Sequence, residues 1–348
     1  MNRSFRLGLM ILVWMSFIQA SSVQKNTAGY VMKLSDYGFF KGDLKDQHPQ
    51  EGVIPYQLNS PLFSDYASKL RFIKLPEGTK VAYNADSVFQ FPVGTAIIKT
   101  FYYPKEEANP SAGRRIMETR VLIRQEKSWV ALPYIWDEAQ TEATLEVAGG
   151  SSLVRWKDKQ GILKQVNYHV PNMNQCKGCH ERSGQMSPIG PSARQLNGDF
   201  HYTSGKQNQL DYWTKAGILS DLPHHKEIQA LVNYMDESKS LDERAKAYLD
   251  INCAHCHNST GPARSSGLYL AWDTKDKTAY GFMKTPVAAG RGSGNLKYDI
   301  VSGKAKESIL AYRMDSVDPG VMMPELGRKM KHQEGIKLIQ DWINSLAH

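Results

Sequence analysis

The chain has 348 residues, 41% of them apolar and 22% charged, which is the composition of a soluble globular protein. Its formal charge is +8, but the basic residues are scattered rather than gathered into a stripe. That excludes nucleic acid as the expected partner and fits solubility or an acidic partner. At roughly 100–200 residues per domain, the length predicts two or three domains.

The N-terminal stretch reads MNRSFRLGLMILVWMSFIQASS. Arg3 and Arg6 form a positive start, Leu7 to Ile18 is an apolar run too short for the ~20 residues of a bilayer span, and Ala20 offers a small residue for cleavage. A secretory signal peptide is predicted over residues 1–20; its removal takes the charge to +8 − 2 = +6. No Cys follows the cleavage region, and no second long apolar segment appears. The expected product is a periplasmic or secreted protein without a membrane span.

Residues 21–165 read as an antiparallel β-rich domain. SVFQFPVGTAIIKTFYYP is aromatic and β-branched. RIMETRVLIRQEKSWVALPYIW alternates, with Met117, Thr119, Val121 and Ile123 on one face and Glu118, Arg120, Leu122 and Arg124 on the other. TLEVAGGSSLVRWKDKQGILKQVNYHV adds three short strands, broken at Gly149-Gly150 and at a Lys157–Gly161 turn.

From 166 the pattern predicts helices and loops, in two mostly α-helical cytochrome c-type haem units: 166–238 and 239–348. The overall class expected is therefore α+β. HKEIQALVNYMDES carries a helical stripe of Ile228, Leu231, Val232 and Met235. SLDERAKAYLDINCAHCH opens with a capping box, Ser240 and Glu243. HQEGIKLIQDWINSL sets Ile336, Ile339, Trp342, Ile343 and Leu346 on one stripe, and 265–322 reads as a long insert in the second unit.

All four cysteines fall in two copies of Cys-x-x-Cys-His: Cys176, Cys179 and His180, then Cys253, Cys256 and His257. On one helical turn, positions i, i+3 and i+4 share a face. Two thiols so placed can add across the two vinyl groups of one porphyrin edge, with the histidine reaching the iron. The motif is the signature of c-type haem attachment, so two haem c groups are expected. A zinc site built from four thiols leaves both histidines idle, a thioredoxin-like pair wants a βαβ setting, and disulfides across each pair do not explain a histidine twice.

Gly190-Pro191 and Gly261-Pro262 follow the motifs. By the way metal-bound histidines are oriented, Pro191 and Pro262 are the candidates to offer a carbonyl to the ring nitrogen that does not face the iron. For the sixth ligand of the second haem, Met323, just before Pro324 and the closing helix, is the candidate, with Met322 as the alternative. Aligning the apolar stripes puts Thr214-Lys215 where Met322-Met323 sit, so the first unit has no Met-Pro. Met173, Met186, Met235, His201, His224 and His225 are its candidates, beside an open sixth site.

These strings also resemble a family. LSDYGFF, IPYQLNSPLFSDYASKLRFIKLPEG, FPVGTAIIKTF, WVALPYIWDEAQTEA, VPNMNQCKGCH and PIGPSARQLN make the mature chain similar to exported bacterial dihaem c-type cytochromes of unassigned function. The part from 241, through CAHCH, SGKAKESILAYRM and MMPELG, resembles single-haem cytochrome c modules of larger oxidoreductases. FPVGTAIIKTFYYP ahead of CxxCH resembles small β-sheet haem c proteins that oxidise hydroxylamine. In those a lysine cross-links to the haem, and Lys99 is the matching position. The resemblance implies two covalent haems and export, and no substrate.

Two functions follow from these readings. One is single-electron transfer between redox partner proteins or small-molecule donors and acceptors. The other is a haem enzyme whose open first haem takes peroxide, nitric oxide or hydroxylamine, with the second as relay. A gas or redox sensor is a minor third, since no signalling domain is present.

Overall fold

The structure, a computed structural model, describes residues 23–346. The expected leader at 1–20 lies outside them. Six antiparallel strands follow one another in chain order across one sheet. They are β1 (Val53–Pro55), β2 (Ser68–Lys74), β3 (Ala96–Pro104), β4 (Arg114–Arg124), β5 (Trp129–Trp136) and β6 (Ala143–Leu145). β-Branched and aromatic side chains suit a pleated surface covered on both faces. The expected QEK turn closes with Gln125 N–H donating to Ser128 O at 2.8 Å. A hairpin of β7 (Gly150–Lys157) and β8 (Leu163–Val170) follows, and β8 runs past the boundary expected at 165.

One face of the sheet packs Ile98, Val121, Leu132 and Tyr134 against the N-terminal segment, through Leu34 and Phe39. The other face meets the rest of the chain. Its row Ile73, Ile97, Leu122 and Ala131 crosses four neighbouring strands and packs on Cys176, Leu196, Leu210 and Trp213. The β7–β8 hairpin covers the far end of that face, through Trp156 and Tyr168 against Phe101 and Tyr103.

Past the sheet, the α+β expectation of two mostly α-helical units is overturned. Among the described residues there are six short α-helices: α1 (Met173–His180), α2 (Ala193–Leu196), α3 (Gln209–Lys215), α4 (Leu241–Leu249), α5 (Ile309–Met314) and α6 (Gln333–Ser345). The molecule is β-rich, and its C-terminal half is held mainly by turns and loops. HKEIQALVNYMDES shows why. Ile228 and Leu231 are buried as the stripe requires, yet only His225–Glu227 is helical, as a 3₁₀ turn.

The backbone groups of that stretch find partners elsewhere. Asn197 Nδ2 donates to the carbonyls of His225 and Ile228, Leu231 N–H to Arg194 O, and Ser60 Oγ to Val232 O. Buried backbone groups need a partner, not specifically a helical one. The alignment that set Thr214-Lys215 against Met322-Met323 loses its basis with this helix.

α4 and α6 are as expected. Ser240 and Glu243 form the capping box of α4. Ile336, Ile339, Trp342 and Ile343 are buried on α6, against Ala245, Tyr248 and Leu249 of α4. Among the described residues, no helix is long and apolar enough to cross a membrane.

Candidate functional site

The first motif occupies the last turn and a half of α1. Asn172 and Gln175 cap that helix reciprocally. Cys176 is buried against the apolar row of the sheet, and burial raises its thiol pKa. His180 Nδ1 lies 2.8 Å from the Ser187 carbonyl oxygen. A carbonyl only accepts, so Nδ1 carries the proton and Nε2 keeps its lone pair. Ser187 N–H in turn donates to His180 O at 2.7 Å. Two-residue strands, Glu181–Arg182 and Gln185–Met186, turn the chain back to make this double contact.

Burial pushes His180 down to about 4, which keeps the imidazole neutral and competent to bind a metal. The carbonyl expected from Pro191 thus comes from Ser187. Pro191 O instead accepts from Phe89 N–H at 3.1 Å. Gly190 holds φ +108, a conformation that residues with a side chain rarely adopt, and a Cβ there would press on the Leu58 side chain.

The second motif begins where α4 widens into a π-helical turn, Asp250–Ala254. Cys256 and His257 N–H both return to Cys253 O. Cys253 is pushed up to about 12 by burial. His257 is lowered to about 4, by burial first and then by His255. The nearest side-chain partner of His257 Nδ1 is Ser266 Oγ at 3.4 Å, and no contact to the Pro262 carbonyl is formed. The Gly-Pro pair acts here by shape: a Cβ on Gly261 would sit 2.4 Å from Cys256 O.

The two motifs meet. The Cys179 and Cys256 thiols lie close enough to act on each other, which lowers the pKa of Cys179 and raises that of Cys256, and Cys256 Sγ lies 3.9 Å from Gly178 O. All four cysteines are free. Cys176, Cys179, His180 and Cys253 line one cavity with the sheet face and with Met322, Met323 and Pro324. The cavity encloses about 1820 Å³ including its open mouth. Among the described residues, no three His, Cys, Asp or Glu side chains are grouped to hold a bare metal ion. By donor set, free thiols in pairs and a neutral imidazole with a free Nε2 suit a porphyrin better than a bare ion.

His257 is half-buried and does not line this cavity. Met322 is 6% exposed and Met323 somewhat more, and both reach the cavity wall. Of the residues considered for the first haem's sixth position, Met186 packs in the core beneath the sheet, Met173 packs against the core on its other face, and Met235 is 55% exposed. None of these, and none of His201, His224 and His225, reaches the cavity.

Other residues escaped the sequence reading. Arg328, buried, donates through Nη2 to the carbonyls of Met323 and Ser316, both at 2.8 Å, and through Nη1 to Met330 O. Asp65 accepts from Lys329 and Met330 N–H. Asp65 and Tyr66 hold φ of +50 and +64, strain that surrounding contacts must maintain. His332 stacks on Phe63 at 4.1 Å and its Nδ1 is 3.1 Å from Tyr248 Oη. His255 also lines the cavity, with its Nδ1 unpartnered. A lone Asp, Arg or His carries no motif, so only its neighbours in space reveal its place.

Comparison of the chain with protein-family models, with curated proteins and with solved structures finds no match.

Proposed function

We propose that this is an exported dihaem c-type cytochrome that passes single electrons between periplasmic redox partners. The observation that carries the reading is that two CxxCH motifs, 73 residues or more apart in sequence, come together, with Cys176, Cys179, His180 and Cys253 on one cavity lined also by Met322 and Met323. When bound, each haem would supply an iron that accepts and returns one electron. Cys176 and Cys179 would hold one group and Cys253 and Cys256 the other. His180 and His257 would be the proximal ligands, the former aimed by Ser187. Met323 would be the opposite ligand at the second. Arg328 and Asp65 fix the backbone on either side of that methionine loop. A thioether in an apolar wall favours ferrous iron and raises the potential.

The test is the intact mass of the exported protein with its reduced pyridine spectrum. Two haems above the leader-free chain, with colour retained on denaturation, are expected. Bound zinc and no haem would sink the reading.

One observation favours the alternative, a haem enzyme acting on a small molecule: none of the expected sixth ligands of the first haem reaches the cavity. Carbon monoxide binding by one of two reduced irons supports the enzyme. Binding by neither leaves the carrier.

A further inference from the structure

The sheet wall of the cavity is built in rows. Ile73, Ile97 and Leu122 are partners across β2, β3 and β4; two residues along, the partners are Arg71, Lys99 and Arg120; two further, Lys69, Phe101 and Glu118. The middle row is three cations side by side, and like charges directly opposite each other in a sheet are destabilising. All three line the cavity.

Arg120 has its counter-charge. Glu118, completely buried, takes a two-point hydrogen bond from its guanidinium and another from Tyr168 Oη at 2.6 Å. Arg71 and Lys99 have none: neither makes an ion pair among the described residues. Arg71 is 7% exposed and its Nη2 is buried without a hydrogen-bond partner. The Lys99 ammonium rests 4.8 Å from the Phe101 ring centroid, a contact weaker than an ion pair. Burial drives both pKa values down, Lys99 far below its ordinary value. Burial of a cation without a counter-charge is unfavourable, and this fold sets the buried Arg71 guanidinium beside the half-buried Lys99 amine. A negative group in the cavity would supply that counter-charge and favour the charged form of Lys99.

We propose that Arg71 and Lys99 form an oxyanion-binding site on the sheet wall of the cavity. The guanidinium fork matches two oxygens of one planar group, and the ammonium adds a point charge beside it. The oxyanion has two possible sources: the carboxylates of a haem held at the first motif, or a free inorganic oxyanion. The carboxylate source rests on the haem reading above; the free-anion source does not.

The experiment uses the exported, haem-loaded protein and the variants Arg71→Gln and Lys99→Gln, with Lys99→Arg as the charge-retaining control. In the first arm, nitrite is titrated and followed by the visible spectrum and by Tm. A saturable response, weakened at least tenfold in both Gln variants and kept in Lys99→Arg, assigns a free anion. In the second arm, redox-difference infrared spectra are taken with ¹³C-labelled haem carboxylates. Shifted carboxylate bands in both Gln variants, with no nitrite response, assign the haem's own groups.

Unchanged nitrite response and unchanged bands in both Gln variants, with two haems confirmed by mass, overturn the site. If the mass shows no haem, the haem reading falls, and thermal stabilisation by nitrite, lost in the variants, still decides the site. Should Arg71→Gln fail to fold, Lys99→Gln against Lys99→Arg carries the same comparison.

Discussion

The two CxxCH motifs are the same five-residue device in two different settings. The first rides on a capped helix, α1, whose histidine is aimed by a carbonyl seven residues on and whose buried cysteine lies under a β-sheet. The second sits at the frayed, π-helical end of α4, among loops, and faces a methionine loop clamped by Arg328 and Asp65. The spacing of thiols and imidazole is a local property of five residues, so it repeats. The covering surface is assembled from distant segments, so it differs: a row of charges over one motif, thioethers beside the other. The difference teaches that the chemistry of each site is set by its cover and not by the motif.

Removing thiols breaks the comparison most completely. Cys176→Ser and Cys253→Ser should each impair attachment of one haem and leave the other, read as a deficit of one haem in the intact mass. Loss of both in either variant would mean the two units do not load separately.

Met323→Ala should act on the second unit alone. It lowers that haem's potential and admits carbon monoxide, while Met322→Ala does neither. Redox titration with carbon monoxide difference spectra reads both. Leu326, three residues on, reaches α1, with Cδ1 3.0 Å from where a Cβ on Gly178 would be. A response at the first haem would therefore move the ligand to that side.

Arg328→Met removes a buried guanidinium that serves several carbonyls of the methionine loop. With hydrogen bonds to charged groups worth ~1.5–3 kcal/mol, and carbonyls left unsatisfied, a loss of about 2–4 kcal/mol is expected in denaturant titration. The sheet domain's own signal should move less than the haem signal of the second unit. Equal movement would show one cooperative unit in place of two settings.

The smallest effect is pH-dependent. Burial pushes His332 down to about 4, below the ~6.5 of an unfolded histidine. Between these values the unfolded chain binds the extra proton, so stability is full above pH ~6.5 and falls as pH drops toward 4, by up to ~3 kcal/mol. His332→Phe keeps the stacking on Phe63 and should flatten that slope in urea titrations from pH 7 to 4. An unchanged slope assigns the acid sensitivity to other groups.

Much of this was legible in the chain itself. The strand alternation in 115–136, the turns at 125–128 and 157–161, the capping box at Ser240 and Glu243 and the stripe of α6 are local properties, set by side-chain period and turn chemistry within a few residues. The CxxCH motifs are legible for the same reason. The 225–238 stripe misled because burial at helical spacing does not require a helix once Asn197, Ser60 and Arg194 supply the backbone's hydrogen bonds from far away. Pro191 misled because a carbonyl's direction depends on the whole loop, and Ser187 is brought to His180 by a hairpin that the spacing does not announce.

The face of β4 that carries Glu118 and Arg120 beside Leu122 is set apart in sequence by alternation alone. Nothing local says more, because alternation separates the two faces of a strand without saying which one meets water. The sequence by itself therefore determined where strands and CxxCH motifs lie, through short-range periodicity and spacing. Only the tertiary structure turned that charged face inward, brought the two motifs together and placed Arg71 beside Lys99 without a counter-charge. Those outcomes depend on which distant surfaces must cover one another, a long-range condition that no window of residues contains.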